Sequence, residues 1–198
     1  PVRLSQNIRR DTGRKFYPQK ILSPAEEKYN FSNAEEILQQ ALTDSIFPGV
    51  QVVVAKEGEL IWSHQIGTLT YDYDSPSVAE NTLYDIASLT KVTTTTPVVM
   101  KLVERKLLPL DEPVFHFFPK FSGELKDQIT LRHLLNHSAG LKPFEEYPFG
   151  TSPDEILNDI IFKPLISIPG EEYHYSDFGP ILLAKICEKV TGESFDDF

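Results

Sequence analysis

Ser88 and Lys91 stand three residues apart in the run Ala87–Ser88–Leu89–Thr90–Lys91–Val92. In a helix opening at Ser88 the two side chains share one face. A hydroxyl at a helix N-terminus lies in a positive end-potential that favours an alkoxide. A lysine one turn on accepts or relays the hydroxyl proton if burial lowers its own pKa. Together they make a nucleophile and a base. The spacing alone is a weak signal, because a chain of this length holds about one such pair by chance. The residues that follow strengthen it. Thr93–Thr94–Thr95–Thr96–Pro97 is poor helical sequence: β-branched threonines lower propensity, and an interior proline costs about 3 kcal/mol. Such a segment stays helical only under tertiary packing, here supplied by Val98, Val99, Leu102 and Val103. It reads as a site or as a kinked core helix.

Two further stretches carry chemistry. Glu172–Tyr173–His174–Tyr175–Ser176–Asp177–Phe178–Gly179 offers tyrosines. A phenol beside a lysine ammonium has a depressed pKa and can serve as a general base; packing is the commoner use of tyrosine. In Ile129–Thr130–Leu131–Arg132–His133–Leu134–Leu135–Asn136–His137–Ser138–Ala139–Gly140–Leu141, Thr130 caps, Leu131, Leu134 and Leu135 face inward, and Gly140 breaks the helix. His133 and His137 have metal-ligand spacing, but no glutamate lies between them as in a zinc protease and no third ligand is evident, so no metal is expected. The stretch reads as a short helix feeding a loop at a cleft. Glu145–Glu146, Glu171–Glu172 and Asp196–Asp197 read as solvated pairs. Cys187 falls on an apolar stripe and reads as inert. There is no glycine-rich phosphate loop, and no cofactor is expected.

The elements that must position these groups begin at Ser32. Ser32 and Glu35 have capping-box spacing, Ala34, Ile37, Leu38, Ala41, Leu42 and Ser45 recur at helical period, and Pro48–Gly49 closes the helix. Val50 to Ala55 reads as a buried strand, Glu57–Gly58 as a turn, and Leu60, Trp62, His64 and Ile66 as the alternating face of a second strand. From there to Phe198 the pattern reads as helical, with no convincing further strand. Ser152, Pro153 and Glu155 open one helix that Pro164 ends. Pro180 opens the last, and Gly192 suits its end. One hairpin with many helices leaves a sheet that lacks strands. Residues 1 to about 30, with Arg3, Arg9, Arg10, Arg14, Lys15 and Lys20 among Pro1, Pro18 and Pro24, read as a linker or N-terminal arm.

Composition bounds the function. The 198 residues are 40% hydrophobic and 24% charged, which excludes a mainly disordered chain. A net charge of −10 argues against nucleic-acid binding. One cysteine excludes an internal disulfide. The longest apolar run, Val50 to Ala55 broken by Gln51, is far short of a membrane span, and the first residues read as showing no leader pattern, the expectation being that any export signal has been removed.

Three blocks in order resemble the serine β-lactamase and penicillin-binding-protein-like superfamily, in its class C-like and esterase-like branch. Ala87–Ser88–Leu89–Thr90–Lys91 resembles the Ser-x-x-Lys block. Leu131 to Leu141 resembles the family's Leu-Arg-His-Leu-Leu-Thr-His-Thr-Ser-Gly-Leu block. Tyr175–Ser176–Asp177 stands where the family has Tyr-x-Asn. Phe47–Pro48–Gly49, Leu110–Asp111–Glu112–Pro113–Val114 and Val190–Thr191–Gly192 add to it, and the resemblance covers roughly residues 32 to 198. It implies an α/β chain of the α+β type, with a helical domain packed on an antiparallel sheet that is incomplete here. The expected divisions are an arm at 1–30, a helix and hairpin at 31–68, and a helical domain at 69–198. It also implies that Ser88 is acylated, that Lys91 holds the proton network, that Tyr175 is base and then acid, and that the Ser88 N–H is half of an oxyanion hole.

Two departures qualify the likeness. Asp177 replaces the asparagine, and a carboxylate cannot donate as an amide does. The family's third motif, Lys-Thr-Gly or His-x-Gly on a late strand, does not occur before Phe198. The expectation is an incomplete chain lacking the C-terminal strands, with an unpaired strand edge open to self-association. Expected partners are small-molecule, ester or peptide substrates, including β-lactams; the resemblance favours a periplasmic or secreted location. The leading expectation is a serine hydrolase. The alternative is a weakly active or inactive module that binds peptidoglycan-type or peptide ligands in the same cleft, with Asp177 as a substrate-binding position in either case. A purely structural helical domain with a chance Ser-x-x-Lys pair is the remaining reading.

Overall fold

The computed structural model describes residues 29–197. The expected arm lies outside the described residues except for Tyr29 and Asn30. Two compact units divide between Asp85 and Ile86.

The first unit opens with helix α1, Ser32–Thr43. The capping box expected of Ser32 and Glu35 does not form. Ser32 is already helical, and its N–H donates to Asn30 Oδ1 at 2.9 Å. Asn30, two positions upstream, thus takes over the end of the helix. The other end stops before Pro48. Ser45 adopts a left-handed backbone (φ 55°), its N–H donates to the Leu42 carbonyl, and the Ile46 N–H reaches back to Ala41. That pair of bonds satisfies the last carbonyls without a glycine.

Strands β1 (Gly49–Lys56) and β2 (Glu59–Gly67) pair antiparallel from Gly49↔Gly67 to Lys56↔Glu59, with an irregularity between Val54 and Ala55. The two-residue connection Glu57–Gly58 has positive φ at both positions (55° and 83°). Those angles match the twist of the flanking strands. Trp62 is buried between Phe31 and His64, with ring centres 4.7 Å and 5.4 Å away and nearly parallel planes.

The unit continues past the expected boundary at residue 68. Residues 68–85 are not helical, contrary to the expected periodicity. Side chains there capture the backbone: the Thr70 N–H donates to Ser75 Oγ, the Thr70 hydroxyl to Asp72, and the Leu69 N–H to the Pro76 carbonyl. Asp, Ser and Thr favour such local bonds over a helix ladder. A Thr68↔Ser77 bridge and a bond from Gln51 Nε2 to the Glu80 carbonyl tie the segment to the hairpin.

The second unit is helical. Its regular helices are α2 (Thr96–Glu104), α3 (Leu131–Leu135), α4 (Pro153–Phe162) and α5 (Phe178–Thr191). α4 has the expected ends: Ser152 Oγ accepts from the Glu155 N–H, Glu155 answers the Ser152 N–H at 2.8 Å, and Pro153 occupies the first turn. α5 starts at Phe178, two residues before the expected Pro180. Ser176 Oγ accepts the Phe178 N–H, and Pro180 falls in the first turn, where its missing N–H leaves no bond unmade. Gly192 ends α5 with φ 73°, as expected. α5 touches α2, α3 and α4. Its inward residues Phe178, Leu182, Leu183 and Ile186 join Leu102, Leu134 and Ile160 in one buried core.

Candidate active site

The helix expected to open at Ser88 opens one residue later. Ala87 has a left-handed backbone (φ 45°), Ser88 lies in the turn, and its carbonyl accepts the Lys91 N–H at 3.1 Å. The four threonines and Pro97 leave their mark immediately after. Lys91–Thr95 forms a π-helical turn, and Thr93 Oγ1 bonds back to the Leu89 carbonyl at 2.8 Å. Pro97 has no N–H to give to Thr93, and its ring crowds that carbonyl in a regular helix. Widening the turn relieves the conflict just before α2.

The turn points Lys91 back at Ser88. Lys91 Nζ donates to Ser88 Oγ at 2.9 Å and forms an ion pair with Asp177 Oδ1 at 2.7 Å. It also lies 5.0 Å from the centre of the Tyr175 ring. The Ser88 hydroxyl and the Lys91 ammonium both act to lower the pKa of the Tyr175 phenol. All four residues singled out by the sequence, Ser88, Lys91, Tyr175 and Asp177, therefore converge. Tyr173, the other tyrosine left open, packs edge-on against His137 at 5.9 Å.

The electrostatics of Lys91 and Tyr175 run in opposite directions. A proton-accepting Lys91 requires a depressed pKa. Burial pulls it down, but the hydrogen bonds and charges of Asp177 and Tyr175 outweigh burial and hold it above its ordinary value. The phenol moves the other way. The bonds from Ser88 and Lys91, followed by the Lys91 charge, hold Tyr175 below its ordinary value, against burial and the Asp177 charge.

Tyr175 and Asp177 are positioned by a loop running from His137 to Pro143. Its carbonyls accept three bonds from the opposing strand of chain: His174 N–H to His137 at 2.8 Å, Ser176 Oγ–H to Lys142 at 2.7 Å, and Asp177 N–H to Pro143 at 2.8 Å. The Ser176 N–H donates to His137 Nδ1 at 3.1 Å. Ser176 itself is buried. Sequence reasoning missed Ser176 and the placement of His137, since these bonds join residues more than thirty positions apart.

Thr130 caps α3 as expected, and His133 Nδ1 accepts its N–H at 3.2 Å. The two histidines' Nδ1 atoms are thus spent on backbone. No group of three His, Cys, Asp or Glu among the described residues is placed to hold a metal. Glu145 is not merely solvated: it bridges Lys142 and Lys163 at 2.7 Å and 2.8 Å. Cys187 is buried, and its thiol is pushed up to about 11. No helix among the described residues is long and apolar enough to cross a membrane.

The Beta-lactamase family model matches residues 34–198. The chain belongs to the Beta-lactamase family. A protein of Escherichia coli (strain K12), described as a proposed D-alanyl-D-alanine carboxypeptidase, is 30% identical over 173 residues, covering 77% of this chain and 40% of that one. Esterase EstB of Burkholderia gladioli is 28% identical over 179 residues, covering 80% and 45%. A solved class C β-lactamase matches with a TM-score of 0.72 at 22% identity, over 84% of this chain and 45% of that one, and supports the fold alone. This member of the Beta-lactamase family thus has the β-lactamase/transpeptidase-like fold, in a superfamily of serine hydrolases. It spans less than half the length of each of these relatives.

Proposed function

We propose that Ser88 is the nucleophile of an acyl transfer to water, with Tyr175 as base and Lys91 as a fixed cation. The observation that carries the reading is the convergence on the Lys91 ammonium: Ser88 Oγ at 2.9 Å, Asp177 Oδ1 at 2.7 Å and the centre of the Tyr175 ring at 5.0 Å. With the Lys91 pKa held above its ordinary value and that of Tyr175 below, the phenol takes the serine proton in this reading. Ser88 Oγ attacks the carbonyl carbon while its proton passes to Tyr175, and the carbonyl π pair moves to oxygen. As the oxyanion collapses, the bond to the leaving nitrogen or oxygen breaks, and Tyr175 gives that atom its proton. Water then repeats the sequence: its proton goes to Tyr175, its oxygen attacks the acyl-serine, and Ser88 leaves with the proton returned. The Ser88 N–H serves the oxyanion. The relatives named as esterase and proposed carboxypeptidase support ester and peptide carbonyls as substrates, and the matching Beta-lactamase family model adds the β-lactam.

A fluorophosphonate probe, a fluorescent penicillin and a p-nitrophenyl ester, each applied to wild type and Ser88→Ala, test the proposal. Covalent labelling confined to the wild type supports it; labelling that survives the substitution ends it. Asp177 carries a second reading. A carboxylate 2.7 Å from Lys91 stands where the resembling family has an amide, which fits a module that binds and acylates but turns over slowly. A stoichiometric burst without further product distinguishes this from sustained hydrolysis.

A further inference from the structure

His137 belongs to none of the roles above, yet it touches the chain on both sides of Tyr175. Its carbonyl accepts the N–H of His174 at 2.8 Å, and its Nδ1 accepts the N–H of Ser176 at 3.1 Å. Its ring lies 4.5 Å from the Tyr175 ring, tilted by 41°. One residue therefore holds the amides before and after the phenol and rests against the phenol's own ring. The backbone of His137 is left-handed, with φ 59°. That region is uncommon for residues with a side chain, and histidine and asparagine are among those enriched in it.

We infer that His137 is the positioning residue for Tyr175, acting as a neutral imidazole that fixes the tyrosine's backbone on both sides. The inference rests on the proposed role of Tyr175 as base. The chemistry of the ring fixes its form. Nδ1 accepts from a backbone N–H, so the ring proton sits on Nε2. A second proton would put a donor on Nδ1 facing the Ser176 donor and break that bond. The surroundings oppose protonation: burial and then the Lys91 charge hold the imidazole below its ordinary value, with Asp177 pulling the other way. The other titratable groups around the ring are Tyr173, Tyr175, and the histidines His133 and His174, which line the same small cavity.

The grip matters because the phenol's lowered pKa comes from contacts with Ser88 and Lys91. A tyrosine whose backbone drifts loses those contacts and becomes a weaker acid. Misplacement of a reacting group by about 1 Å costs up to roughly 100-fold in rate.

The test compares wild type, His137→Leu and His137→Asn. Asparagine keeps an acceptor on the atom next to Cγ and tolerates the left-handed backbone; leucine keeps bulk and loses the acceptor. The first readout is the rate at which a fluorophosphonate labels Ser88, followed against pH. His137→Leu should label roughly 10- to 100-fold more slowly, with the rising limb of the profile moved to higher pH. His137→Asn should stay within about threefold of wild type. The second readout is independent of activity: nitrogen NMR of the wild-type ring and of the Ser176 amide. It should find Nδ1 unprotonated at neutral pH and the Ser176 amide shifting as the ring titrates in acid. A leucine variant that labels like wild type with an unmoved profile, an asparagine variant as slow as leucine, or a Ser176 amide indifferent to the ring overturns the inference. No labelling of the wild type, with the Ser176 amide still following the ring, overturns the acyl-transfer reading instead and leaves the backbone grip established.

Discussion

Replacing Gly140 by alanine tests whether the loop from His137 to Pro143 is the element that places Tyr175. Gly140 has φ 68°, and a Cβ built on it would lie 2.2 Å from the Ser167 carbonyl oxygen. Two costs follow. Holding alanine in the left-handed region costs about 1–2 kcal/mol. The clash is with backbone, so it cannot be relieved by a side-chain rotation. Moving Ser167 away strains the neighbouring bonds from the Ile166 N–H to the Gly140 carbonyl (2.8 Å) and from the Gly170 N–H to the Ser138 carbonyl (2.7 Å). Each such bond contributes about 1 kcal/mol net. The expected loss is about 3 kcal/mol, or roughly 6–12 °C in melting temperature for a chain of this size. Gly192→Ala is the control. Gly192 has φ 73° and open space where a Cβ would go, so it incurs the backbone cost alone, about 1–2 kcal/mol. Urea unfolding of the two variants, with fluorophosphonate labelling of Ser88 at a temperature where both stay folded, reads the result. Gly140→Ala should be the less stable by about the clash, and it alone should label slowly. Equal destabilisation, or an unstable Gly140→Ala that still labels at the wild-type rate, refutes the reasoning.

Asp177→Asn removes the charge that opposes the lowered pKa of Tyr175, so the rising limb of the labelling profile should move to lower pH; a move upward would show that the carboxylate aids the phenolate. Glu145 is held down from 4.5 to about 2 by hydrogen bonds from Lys142 and Lys163. A depressed carboxylate contributes stability above its unfolded value that is lost as pH falls through its folded value. Acid denaturation between about pH 4.5 and 2 should therefore be blunted in Glu145→Gln, which already lacks that contribution at neutral pH; identical pH dependence in the variant counts against the bridge. Leu182 is fully buried on α5, and Leu182→Ala should lose about 2–5 kcal/mol in chemical unfolding, a loss under 1 kcal/mol placing it outside the core.

What could be read from the sequence followed the range of the interactions. The caps of α4 depend on Ser152, Pro153 and Glu155 alone, and the hairpin turn on Glu57–Gly58, so local chemistry sufficed. The cap at Ser32 failed because Asn30 competes for the same N–H from outside the expected pattern. The helical reading of 68–85 failed for a related reason: Thr70, Asp72 and Ser75 bond the backbone locally. The threonine run before Pro97 was visibly strained as helix, but its resolution as a π turn depends on how the chain packs.

The site divides along the same line. Residue types at positions 88, 91, 175 and 177 named the participants, but not which of them holds the mobile proton. For Lys91, burial and a partner act in opposite directions, and only the distance to Asp177 decides between them. At 2.7 Å the partner outweighs burial and holds the Lys91 pKa above its ordinary value. In the proposed reading the proton acceptor is the group whose anion the Lys91 ammonium stabilises. Asp177, which departs from the family's asparagine, then favours the phenol over the amine as the base of that proposal. The balance is reciprocal: the same carboxylate that fixes Lys91 as a cation raises the cost of a Tyr175 anion beside it. A chain with this aspartate should need more alkaline conditions for full reactivity than its asparagine variant, which is why the direction of the Asp177→Asn profile, more than its height, tells whether the phenol is the base.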